Sequence, residues 1–117
     1  MPGLSIHVVD VSRGVVAAGM GVEVFAIAGD ERRPLARGVI SAKGTLDDPA
    51  LGGMLSAGSY EAVFHVAEYY RGAKVALASV PFLDVVTYSF GIADPQQHYH
   101  LPFKCTPWGY SCFRGGA

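Results

Sequence analysis

The apolar stretches of this chain are short, alternate with a two-residue period, and are cut apart by glycine and proline at regular intervals. Alternation puts successive side chains on opposite faces of a strand. In residues 4–10, Leu4, Ile6 and Val8 share one face and Ser5, His7 and Val9 the other. Gly14 and Gly19-Met20-Gly21 break that run. Residues 22–28 form the next strand, ended by Gly29-Asp30, and residues 34–40 a third, closed by Ala42-Lys43-Gly44. Residues 59–66, 83–92, 98–105 and 110–114 complete the set. The charged run Glu31-Arg32-Arg33, between Asp30 and Pro34, reads as a solvated turn. Only residues 67–78 lack the two-residue period, and one short helix fits there. Short strands at this spacing, with turn residues between them, predict an all-β antiparallel sandwich or barrel.

The 117 residues supply one core and are too few for two, so 1–117 reads as a single domain. Half the residues are hydrophobic and 16% are charged, a balance that folds into a globule. A net charge of −1 argues against nucleic acid, whose phosphates need a concentrated basic surface. No apolar window reaches the ~20 residues that span a bilayer, and Met1-Pro2-Gly3-Leu4-Ser5 carries no signal-peptide pattern. A soluble, cytoplasmic protein is expected. Cys105 and Cys112 sit in no metal-ligand pattern and read as reduced packing residues, although spacing alone leaves a disulfide open. No metal is expected.

The segment 98–105 is the exception to simple packing. As a strand it sets His98, His100, Pro102 and Lys104 on one face, with Tyr99, Leu101, Phe103 and Cys105 on the other. Two imidazoles and an ammonium in one row suit a site that moves protons and holds an anion.

The order of the motifs resembles the transthyretin-like family, and within it the 5-hydroxyisourate hydrolases. Leu4-Ser5-Ile6-His7-Val8-Val9-Asp10 with Arg13-Gly14 resembles the family's opening L-S-x-H-V-L-D…R-G. Gly58-Ser59-Tyr60 with Glu68-Tyr69-Tyr70, Phe90-Gly91-Ile92, and Asp94-Pro95 before His98-Tyr99-His100-Leu101-Pro102 match its later segments in order. Thr106-Pro107-Trp108-Gly109-Tyr110-Ser111 is similar to its S-P-Y-G-Y-S. The resemblance implies a transthyretin-like sandwich of two four-stranded sheets with one short helix. It implies a homotetramer with sites where dimers meet, and a cofactor-free hydrolase of purine degradation. Such a hydrolase opens 5-hydroxyisourate by adding water to a ring carbonyl.

Residue by residue, the resemblance places His7 and His100 at the family's two histidines and Arg114-Gly115 in its terminal motif. Thr45 stands where the family has a loop arginine, Phe113 where it has a tyrosine, and Gly116-Ala117 where it has a terminal serine. Lys104 replaces a leucine. Thr45 therefore lacks a planar cation able to grip a carbonyl with two hydrogen bonds. Groups that stabilise transition-state charge are often worth on the order of 3 kcal/mol. Lys104 supplies a cation in compensation, as base, imine-former or anion holder. The expected catalytic set is His7, His100 and Lys104, with Arg114, Thr45, Phe113 and His98 contacting a small heterocyclic substrate. Two other readings stand beside it. One is a diverged enzyme using Lys104 on another heterocycle in a biosynthetic pathway, and the other is a non-catalytic ligand-binding protein of transthyretin type. His65 belongs to no motif and reads as a half-exposed strand residue.

Overall fold

A computed structural model describes residues 2–116. Its strands are β1 (Gly3–Asp10), β2 (Val15–Val16), β3 (Gly21–Ala28), β4 (Glu31–Val39), β5 (Gly58–His65), β6 (Val85–Ile92), β7 (His98–Thr106) and β8 (Gly109–Cys112). They form two four-stranded sheets, ordered β2-β1-β7-β8 and β4-β3-β5-β6. Neighbouring strands run antiparallel with one exception: β1 and β7 are parallel, with Ser5 opposite His100 and His7 opposite Pro102. The two paired strands come from opposite ends of the chain, so no local turn signals their pairing or its direction.

The alternation read from the sequence is what buries the core. Leu4, Ile6 and Val8 of β1, and Tyr99, Leu101, Phe103 and Cys105 of β7, face Val22, Val24, Tyr60, Ala62 and Phe64 of the other sheet. Each large side chain so buried contributes about 1.5–3 kcal/mol. Phe64 and Phe103 stack across the two layers with ring centroids 3.9 Å apart.

The charged run Glu31-Arg32-Arg33 is not a turn but the start of β4. The turn is Gly29-Asp30, with Gly29 at φ +63°, a conformation glycine adopts freely. As an edge strand, β4 exposes most of its length, so hydrophobic alternation cannot mark it. Arg32 instead bonds Glu61 at 2.9 Å and lies over the Phe25 ring. Pro34 sits at a register shift between Val24 and Phe25, as a residue without an N–H must. The helix α1 (Val66–Gly72) is shorter than the sequence suggests; it ends at Gly72, and Lys74 follows at φ +62°. Its Tyr69 and Tyr70 dip into the core.

Both tyrosines reach Asp10, the last residue of β1, whose side chain is fully buried. Asp10 accepts hydrogen bonds from Ser12 (2.6 Å), Arg13 (2.9 Å), Tyr69 (3.0 Å) and Tyr70 (2.7 Å). Burial alone would raise its pKa, but these donors outweigh that and hold it down at about 2. Cys105 beside it is a free thiol pushed up to about 11, chiefly by burial, and Cys112 is likewise free and raised. Both are inert packing groups at neutral pH.

Candidate active site

The outward rows of β1 and β7 lie side by side because the two strands pair in register. Ser5, His7 and Val9 come from the first; His98, His100, Pro102 and Lys104 come from the second. All three histidines are half-buried. The Ser5 hydroxyl sits between two of them, 2.8 Å from His98 Nε2 and 2.6 Å from His100 Nδ1.

Two backbone segments close on this face. The loop after β4 bridges to β1 through a His7–Thr45 pairing, and the Val8 amide donates to the Gly44 carbonyl at 2.9 Å. Gly44, at φ +89°, approaches so closely that a Cβ there would lie 2.7 Å from His7 Nε2. The C-terminal segment runs on beyond β8, and the Gly115 amide donates to the His100 carbonyl at 2.7 Å. A Cβ on Gly115 would meet His100 Cδ2 at 2.8 Å. Each glycine is needed because backbone, not side chain, walls the neighbouring imidazole. Ala117, expected to extend the terminal motif, lies outside the described residues.

His100 titrates below the ordinary imidazole range, first because burial disfavours its charged form and then because His7 and His98 do the same. At neutral pH it is therefore an uncharged ring with one lone-pair nitrogen, the form a general base needs.

The other expected site residues are placed unevenly. Thr45 adjoins His7, but its hydroxyl is occupied, donating to Asp47 at 2.7 Å and lying 3.2 Å from Ser41 Oγ. Lys104 is exposed further along the same face, with Nζ 5.8 Å from the centroid of the exposed Phe113 ring. Arg114 does not reach His7 or His100. Its guanidinium donates to Gln97 Oε1 and the His98 carbonyl and lies 4.0 Å from the centroid of Tyr99, a residue of the inward row. Alternation explains this: Phe113 and Gly115 share the face of the histidines, and Arg114 between them does not. His65 closes β5 at the far sheet, bonded to Glu23 at 2.8 Å.

The sequence reading missed Ser5, although it lies two residues before His7 on the same face of β1. It missed Asp10 as well, although Leu4, Ile6, Val8 and Asp10 form one even-numbered row.

Residues 4–115 match the family described as HIUase/Transthyretin family. The chain is 47% identical over 115 residues to the 5-hydroxyisourate hydrolase of Deinococcus radiodurans, covering 97% of this chain and 96% of that one. Among solved structures, it is similar to 5-hydroxyisourate hydrolase of Klebsiella pneumoniae, with a TM-score of 0.78 and 28% identity, covering 99% of this chain and 100% of that one. It is also similar to (S)-allantoin synthase, with a TM-score of 0.88 and 30% identity, covering 97% of this chain and 43% of that larger one.

Proposed function

The chain belongs to the HIUase/Transthyretin family, and from that premise we propose that it hydrolyses 5-hydroxyisourate. The observation that carries this reading is the delivery of His7 and His100 to one face by the parallel β1–β7 pair, with His100 held neutral. A water on that face gives a proton to His100 as its oxygen bonds to the ring carbonyl carbon. Negative charge collects on the carbonyl oxygen. As the ring C–N bond breaks, the departing nitrogen takes up the proton that His100 gained, relayed by His7, and both imidazoles return to their starting forms. Acid–base assistance of this kind is typically worth 10²–10⁴-fold in rate.

The remaining groups have supporting parts. Gly44 and Gly115 narrow the space around the two rings, and Thr45 contributes a polar wall without the grip of a guanidinium. Lys104 provides a cation for an anionic substrate, Phe113 an aromatic surface, and Arg114 stands at the rim beside His98. No helix among the described residues is long and apolar enough to cross a membrane. The exposed Trp108, Tyr110 and Phe113, on and around the open edge strand β8, support assembly with further copies. A homotetramer would cover the histidine face and complete the site, and the place of the reaction would be purine degradation in the cytoplasm.

The test is direct. Purified protein added to freshly generated 5-hydroxyisourate speeds the loss of its ultraviolet absorbance, and His100→Asn removes most of that acceleration. Decay no faster than in buffer would overturn the substrate assignment.

A further inference from the structure

One hydroxyl, Ser5, is shared by two imidazoles, and with both rings uncharged the hydrogens of that cluster allow only one arrangement in which every contact is satisfied. A serine hydroxyl carries one hydrogen, so it donates to one ring and must accept from the other. The far nitrogen of His98, Nδ1, lies 3.4 Å from the Pro2 carbonyl oxygen. A carbonyl only accepts, so the hydrogen of neutral His98 sits on Nδ1 and its Nε2 is bare. Ser5 therefore donates to His98 Nε2 across 2.8 Å. It then accepts from Nδ1–H of His100 across 2.6 Å. The reverse order would set a bare His98 Nδ1 against the Pro2 carbonyl and load the hydrogen of His100 onto Nε2.

We infer that Ser5 is a positioning residue: by accepting from Nδ1 of His100 while donating to His98, it keeps the Nε2 lone pair of His100 free to take a proton. The inference rests on the reading of His100 as the base and adds the device that fixes which of its nitrogens acts. When Nε2 takes the proton from water, the resulting imidazolium donates a charge-assisted hydrogen bond to Ser5, which is stronger than the neutral one it replaces. The backbone at Gly115, pressed against Cδ2 of the same ring, restrains the ring plane. The titratable groups that act on this ring are His7 on β1 and His98 on β7; further out on the elements packed there are Lys104 on β7, Asp47 bonded to Thr45, and Arg114 bonded to the His98 carbonyl.

Nitrogen NMR of the full chain labelled at histidine reads the tautomer without any substrate, and so remains decisive even if 5-hydroxyisourate is not turned over. His100 is expected as the Nδ1–H form. Ser5→Ala is expected to return it to Nε2–H, the form an unconstrained imidazole favours, while Ser5→Thr keeps Nδ1–H. In turnover, Ser5→Ala lowers kcat by roughly tenfold or more, because the base nitrogen is capped. KM stays within about twofold. The acid limb of its kcat/KM profile moves to lower pH, because the imidazolium has lost an acceptor. Ser5→Thr restores both. An Nε2–H His100 in the unaltered protein overturns the inference, without requiring Ser5→Ala to fold. So does an unchanged tautomer in Ser5→Ala, or a Ser5→Thr as impaired as Ser5→Ala.

Discussion

Strand β1 builds a polar cluster on each of its faces, and the two are opposites. The even-numbered row ends in Asp10, a buried carboxylate whose four side-chain donors come from Ser12, Arg13 and two tyrosines of α1. Its hydrogen-bonding capacity is spent, and its charge is fixed far from neutral pH. The odd-numbered row sets Ser5 and His7 beside His98 and His100, where burial holds the His100 pKa below its ordinary value. A closed set of partners makes a joint between helix and sheet. An open set is what the proposed hydrolysis draws on.

Removing the hub of the closed set gives the largest expected effect. Asp10→Ala removes the shared acceptor of a guanidinium and three hydroxyls and should lower stability by about 3–5 kcal/mol in urea unfolding. His100→Asn, in the open set, should cost less than about 1 kcal/mol while removing most of the turnover. A loss of stability as large for His100→Asn as for Asp10→Ala would erase the distinction.

Acid titration of stability separates the two clusters in pH. Asp10 has a pKa of about 2 in the fold against an ordinary 3.8, so the unfolded chain binds its proton first. Its contribution of about 2 kcal/mol is present above the ordinary value and fades as pH falls toward 2. His100 is also lowered, so it weakens the fold as pH falls from 6.5 down to its own reduced value. Two separate steps are expected in the unfolding free energy, and the upper one should shrink in His100→Asn. A single step near the carboxylate range would contradict the burial argument for His100.

The smallest effect is expected at Lys104, which is exposed and has no hydrogen-bond partner among the described residues. Lys104→Met should change stability by no more than about 0.5 kcal/mol, and raise KM rather than lower kcat if its charge holds the substrate. Full activity at unchanged KM would confine the working groups to the imidazoles.

Most of the sheet core was legible because alternation is a local property: Leu4, Ile6, Val8, Tyr99, Leu101 and Phe103 announce their faces without any partner. The edge strand β4 was not, since Glu31, Arg32 and Arg33 meet water and leave no apolar rhythm. The two-residue β2 is too short to show a period at all. The parallel run of β1 and β7 depends on contacts between opposite ends of the chain, and nothing near either strand encodes it. The histidines were found through motif order, whereas Ser5 and Asp10 needed only the row parity that had already placed His7 and Val8. The same parity sets Arg114, between Phe113 and Gly115, beside His98 and Tyr99 rather than against His7 and His100.

Because β1 is made well before β7, translation delivers Ser5 and His7 long before His98 and His100. A nascent chain stopped before residue 98 carries β1 without its parallel neighbour, so on the proposed mechanism catalysis waits for β7. Closing that longest of loops is also the slow step expected of folding, and maturation of the enzyme and completion of its fold become a single event.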